Sequence, residues 1–213
     1  MFRAPARDAH GQRLESHGAL LLLESDGQNS GTGELCPLPG RSRETLAECV
    51  DALRRLPLGE LPSRDSLVPT RWREAVERAS ALLPAAMPAA RHALESALLD
   101  LSAAALGQPA PEFLARVLGL PAPEGTLPVA ALVDARSLAE ALDQAGAALA
   151  SGMATIKVKI AGDESDAGIV DRIGMLRHEF GDSLRMRVDA NQSLEAGRAL
   201  LLARKLEALN VEF

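Results

Sequence analysis

The sequence predicts an α/β protein: an N-terminal α+β domain over residues 1–121, then the first part of a parallel (β/α) barrel of TIM type over 122–213, reaching the start of a fourth barrel strand. Three observations predict this. After Pro128, strand-like and helix-like runs alternate strictly, with one helix between successive strands at intervals of about 25–30 residues, the pattern of right-handed βαβ units. Before Pro121, two short strand-like runs give way to helices. Between the two regions lies a Pro-rich stretch, Pro121 to Pro128.

The first domain opens with Leu20 to Ser25, a weakly alternating strand, the turn signal Asp26-Gly27, and a Gly-rich returning strand from Ser30 to Leu35. Pro37-Leu38-Pro39-Gly40 reads as a rigid loop. Ser42 is a plausible N-cap for a helix through Arg55. A second helix is expected over Arg71 to Leu83, started by Pro69-Thr70. A third is expected over Ala89 to Leu106, with Leu94, Ala97, Leu98, Leu101 and Ala105 at helical spacing and Gly107-Gln108-Pro109 as its stop. Glu95 and Asp100 on this helix read as solvated or cap-pairing groups, and His10, His17, His92 and His178 as structural residues without metal-ligand spacing.

In the second domain the expected strands are Leu127 to Val133, Thr155 to Ala161, Leu184 to Asp189 and a last one opening at Asn210. The expected helices are Ser137 to Ser151, Asp163 to Phe180 and Ser193 to Leu209. A doubly wound sheet is the competing architecture, but it calls for a Gly-rich phosphate turn after the first strand. Val133-Asp134-Ala135-Arg136 is not one. A barrel places its catalytic side chains at the C-terminal ends of strands, and the polar residues fall there.

Composition excludes several classes. With 47% hydrophobic residues, a net charge of −6, one Trp and no Tyr, the chain has neither a basic patch nor a stacking platform for nucleic acid. The longest apolar run, Ala19 to Leu23, is far short of the roughly 20 residues that span a bilayer. No signal peptide is visible after Met1, and Cys36 and Cys49 read as two reduced thiols in a cytoplasmic protein. Of 23 basic residues only three are lysines, Lys157, Lys159 and Lys205. Arg can replace Lys wherever a fixed charge suffices, but not where a neutral amine is needed.

Two of those lysines share one strand, Ile156-Lys157-Val158-Lys159-Ile160, and a period of two puts them on one face. Two ammonium groups brought together repel, which favours the neutral amine of one and makes it a candidate base for a proton α to a carboxylate. One βα unit later, Arg185-Met186-Arg187-Val188-Asp189-Ala190-Asn191 ends a strand with a carboxylate suited to Mg²⁺, a hard cation with oxygen ligands. A solvated face and a helix-capping Asp are the bland alternatives for each motif alone. Together, on consecutive strands ending at one sheet edge, they form a coherent site.

This pair of motifs resembles the enolase superfamily, specifically its muconate-lactonizing subgroup. The stretch Gly33 to Gly40 followed by Ser42 to Leu46, and the helix Ala89 to Leu101, resemble the capping domain of o-succinylbenzoate synthases. The resemblance implies an N-terminal capping domain and Mg²⁺ as cofactor. It implies a small-molecule carboxylate as substrate, with Lys159 as general base, Lys157 holding the carboxylate or enolate, Asp189 as first metal ligand and Asn191 in support. The loop with Pro39, Gly40 and Ser42 would influence specificity. The implied reaction is dehydration to o-succinylbenzoate for menaquinone synthesis. Rival reactions within the superfamily are those of an N-acylamino acid racemase, a dipeptide epimerase or a muconate cycloisomerase, and a non-catalytic fragment is the alternative outside it. Two further acidic ligands and another lysine are expected on later strands, and Glu212 lies before the first of them. A typical full barrel takes ≈ 250 residues, so a part-barrel standing alone is expected to be nearly inactive and to expose unpaired sheet edges.

Overall fold

A computed structural model describes residues 6–8, 11–13, 15–25 and 29–212, with the backbone alone for the first two segments. Asp26-Gly27 and His10 lie outside the described residues. The chain divides into two compact units between Gly125 and Thr126, and the hairpin of β1 (Ala6–Asp8) and β2 (Gly11–Arg13) clusters with the second. No described helix is long and apolar enough to cross a membrane.

In the first unit, β3 (Ala19–Ser25) and β4 (Asn29–Leu35) pair antiparallel from Ala19↔Leu35 to Ser25↔Asn29. Alternation along β4 turns Gly31, Gly33 and Leu35 inward, and the two glycines let the strand's backbone lie directly on α3 (Pro88–Ala105). Ala90, Ala93, Leu94, Ala97, Leu98 and Leu101 supply the buried face of that helix. Asp100 accepts from the Thr32 amide at 2.9 Å, and Glu95 accepts from the Ser80 hydroxyl at 2.6 Å. Both carboxylates therefore tie α3 to a neighbouring element, where the sequence suggested groups facing solvent or a helix cap.

Ser42 is not the cap of α1 (Leu46–Arg54). Thr45 is, through a reciprocal capping box with Glu48. The Ser42 hydroxyl instead accepts from the Leu38 amide at 2.9 Å and closes the Pro39-Gly40 turn, in which Gly40 takes a φ of 80°. On α2 (Trp72–Ala81), Trp72 donates to Ser102 at 3.1 Å and meets Phe113 edge-on at 5.9 Å. Phe113 belongs to α4 (Ala110–Leu118), a helix the sequence reading passes over: Pro109, expected only to stop α3, also starts α4, and Gly119 ends it in the left-handed region.

The second unit is a parallel sheet in the order β5-β6-β7, formed by β5 (Ala130–Val133), β6 (Thr155–Lys159) and β7 (Arg185–Asp189). Each strand is followed by a helix: α5 (Leu138–Ala150), α6 (Asp166–Phe180) and α7 (Ala196–Glu207). Val211 bridges in parallel to Met186, so a fourth strand position begins beside β7. These strands are shorter than the sequence suggests, and α6 and α7 start three residues later. Ser165 caps α6, while Glu164 before it turns back to accept from the Ala161 amide at 2.7 Å. The helix-facing side of the sheet is dry: Val133, Ile156, Val158, Leu184 and Met186 pack on Ile169, Ile173, Leu176 and Leu202, all essentially buried. Each such side chain contributes roughly 1.5–3 kcal/mol on burial.

Arginines then tie helices to the loops between strands. Arg177 of α6 donates to the carbonyls of Gly181, Leu184, Leu209 and Asn210 at 2.6 to 3.1 Å. Arg198 of α7 donates to the carbonyls of Gly162 and Glu164 and pairs with Asp166 at 2.8 Å.

Candidate functional site

With one face of the sheet filled by aliphatic side chains, the alternate residues of each strand must emerge on the other. In β6 these are Lys157 and Lys159, half-buried between the buried Ile156, Val158 and Ile160. Register pairs Lys157 with Leu132 of β5 and Arg187 of β7, and Lys159 with Asp189. Asp134 follows β5 one residue past the Val133↔Val158 pair. The C-terminal rim therefore presents a row in which charge alternates: Asp134, Lys159, Asp189.

The two lysines turn to different carboxylates. The Lys157 ammonium reaches across to donate to Asp189 Oδ2 at 2.8 Å, and Lys159 Nζ lies 4.0 Å from Asp134 Oδ2. Each amine thus faces a carboxylate across the rim. Asp189 takes a second hydrogen bond, from the Asn191 amide to Oδ1 at 2.8 Å. The Lys157 hydrogen bond, reinforced by the Asn191 amide and the charges of both lysines, holds the Asp189 carboxyl below the ordinary carboxylate range against the opposing effect of burial. The backbone of Asn191, with that of Gln192, turns in the left-handed region at φ 49° and 64°. Two consecutive non-glycine residues in that region mark a locally strained turn beside the carboxylate.

Lys157, Lys159, Asp189 and Asn191 are therefore brought together. Pro39, Gly40 and Ser42 lie in the first unit. Asp134, which the sequence reading does not single out, shares the row with Lys159. Its one sequence signal is its place directly after the buried end of a strand. Glu212 pairs with Arg187 at 2.8 Å and Arg185 at 3.9 Å.

As a metal site, the cluster offers one suitable donor. Asp189 is a partly exposed, ionised carboxylate of the oxygen type that Mg²⁺ takes. Among the described residues no group of three His, Cys, Asp or Glu side chains converges. The residues present fit one position of a Mg²⁺ ligand set.

Residues 140–213 match the family described as enolase C-terminal domain-like. An L-Lys-D/L-Arg epimerase of Methylococcus capsulatus is 37% identical over 184 residues, which is 86% of this chain and 48% of that protein. The crystal structure of a dipeptide epimerase from Methylococcus capsulatus, in complex with Mg and the dipeptide L-Arg-D-Lys, is 32% identical with a TM-score of 0.79. The match covers 99% of this chain and 56% of that one. The L-Ala-D/L-Glu epimerase of Bacillus subtilis shares the fold at 24% identity, with a TM-score of 0.81 over 99% of this chain and 56% of that one. The chain spans about half the length of the curated relatives it matches. Relatives named as epimerases overturn the expected o-succinylbenzoate synthase activity and its place in menaquinone synthesis. Both reactions would begin with loss of a proton next to a carboxylate, so motifs read as suited to that step could not choose between them.

Proposed function

The chain is an enolase-superfamily chain, and from that premise we propose that it supplies the proton-abstracting half of a dipeptide epimerase acting on cationic dipeptides. The observation that carries the reading is the meeting of Lys157, Lys159 and Asp189 at the C-terminal rim of one parallel sheet. The 37% identity to an L-Lys-D/L-Arg epimerase supports the substrate class.

In this reading Lys159 removes the proton from the α-carbon next to the substrate carboxylate. A proton on that carbon is weakly acidic, and abstraction needs the developing negative charge to be neutralised as it forms. Lys157 places its ammonium beside Asp189, where the substrate carboxylate would lie, and counters that charge. Asp189, and Asn191 through its amide, hold the rim in place. Mg²⁺, held in part by Asp189, would supply further electrostatic stabilisation of the charge on the carboxylate oxygens. Asp134 adds negative charge next to the base and suits a substrate that carries ammonium or guanidinium groups. Inversion also needs a proton donor on the opposite face of the planar carbon, a role the superfamily resemblance assigns to a lysine on a later strand.

The test is proton exchange. The protein is incubated with Mg²⁺ in D₂O with L-Lys-L-Arg, L-Ala-L-Glu or a simple carboxylate, and the α-proton signal is followed by NMR. Loss of that signal by exchange for deuterium, fastest for the cationic dipeptide and abolished by Lys159→Ala, is the expected result. Exchange that survives Lys159→Ala, or turnover confined to a non-peptide carboxylate, would overturn the proposal.

A further inference from the structure

In the second unit one charged side chain is buried among the described residues, and the chemistry above does not use it. Arg172, on α6, is 4% exposed. A buried guanidinium needs partners for its donors. Its partners come from three segments around the rim. Nη1 donates to the Arg136 carbonyl at 3.0 Å and to Glu164 Oε2 at 2.5 Å, and Nη2 donates to the Lys159 carbonyl at 3.3 Å. Glu164 in turn holds the Ala161 amide. A second, exposed staple joins the same loops, since Arg136 forks onto Asp163 at 2.9 and 3.1 Å.

One guanidinium therefore grips the backbone of Lys159 itself and the backbone two residues beyond Asp134. We propose that Arg172 is a positioning residue for Lys159: it locks the C-terminal ends of β5 and β6 together and so sets where the Lys159 amine stands relative to Asp134. The planar fork explains why arginine occupies the position. It spans a carbonyl at the end of β6, a carbonyl in the loop after β5 and a carboxylate, whereas an ammonium is a point charge without that fixed geometry. The functional meaning rests on the reading of Lys159 as the base, but the geometric claim does not.

The lysine-poor sequence permits a test without turnover. The folded chain is labelled with a trace of acetic anhydride, and modification at Lys157, Lys159 and Lys205 is read by peptide mass spectrometry. Lys205, on α7 and paired with Asp166, is the internal reference. In Arg172→Gln, labelling of Lys159 relative to Lys205 is expected to rise by about threefold or more, the scale set by regained side-chain freedom. Lys157, held by Asp189, should keep its ratio. Guanidinium at millimolar concentration added to Arg172→Ala should restore the Lys159 ratio. If Arg172→Gln does not fold, Glu164→Gln is read in the same way, since it removes the charge that fixes the guanidinium. An unchanged Lys159 ratio in a folded variant overturns the proposal. A uniform rise at all three lysines also overturns it, because Arg172 would then be an ordinary stabilising group. A failed exchange assay with a changed Lys159 ratio would sink the epimerase reading and leave the positioning role standing.

Discussion

Gly33→Ala probes the closest backbone approach in the first unit. A Cβ built on Gly33 falls 1.8 Å from the Ala93 carbonyl oxygen and 2.7 Å from its carbon, where ordinary contact begins near 3.4 Å. The obstacle is backbone of α3 and cannot rotate away, so the helix and β4 must separate. Separation also strains the Asp100 hydrogen bond to Thr32 and opens the packing around Leu35 and Leu94. Overpacking against rigid neighbours costs up to about 3 kcal/mol, and with a urea slope of roughly 2 kcal/mol/M the midpoint should fall by about 1.5 M. The single Trp reports this unit directly, because Trp72 bonds to Ser102 on α3. Its fluorescence in a urea titration is the assay. Gly59→Ala is the control: a Cβ there meets nothing within 4 Å, and the change should stay within about 0.5 kcal/mol. A Gly33→Ala midpoint equal to that of the parent would refute the close-packing argument.

Other predictions follow from the electrostatics and caps. Hydrogen bonding to Arg198 holds the Asp166 carboxyl below its ordinary value, as hydrogen bonding to Lys157 does for Asp189. A depressed folded pKa gives stability that is present above the unfolded value, about 3.9 for Asp, and is lost as pH falls through the folded one. Arg198→Gln should therefore move the acid-unfolding midpoint, followed by far-UV circular dichroism, to higher pH; an unmoved midpoint counts against the pair. With one carboxylate ligand, Mg²⁺ should bind the chain with a dissociation constant on the order of millimolar or weaker, and Asp189→Asn should remove the calorimetric heat; micromolar binding would show that more ligands converge. Burial raises the Cys49 thiol pKa, while Cys36 is only half-buried. Iodoacetamide should modify Cys36 first and reach Cys49 only on unfolding, as mass spectrometry can follow. Ser137 accepts from the Glu140 amide at the start of α5, and Ser137→Ala should cost about 1 kcal/mol in thermal unfolding.

Much of the second unit was legible because its signals are local. Period two in Ile156 to Ile160 put both lysines on the face away from the core, and strand-helix alternation predicted the parallel order. Helix starts were misplaced where a stronger local device competed: Thr45 and Glu48 form a capping box, and Ser42 is spent on closing the Pro39-Gly40 turn. The helix after Pro109 was missed because a proline that stops one helix can begin the next. Asp134 and Arg172 were not legible. Each is a lone charged residue in sequence, and only the packing of β5 against β6, and of α6 against both, gives it a role. Substrate choice was illegible for a different reason. A site for proton abstraction next to a carboxylate would call for the same kinds of group whatever the rest of the molecule carries, so such motifs leave the substrate open.

The arginines at 172, 177 and 198 constrain how this sequence can drift. On an exposed helix face, exchange between arginine and lysine is nearly silent, since only a mobile positive charge is required. At these three positions the guanidinium bridges several carbonyl oxygens at once, and a single ammonium has no equivalent geometry. In a lineage whose codon usage moves toward lysine, the solvent-facing arginines should convert first, and these three should persist.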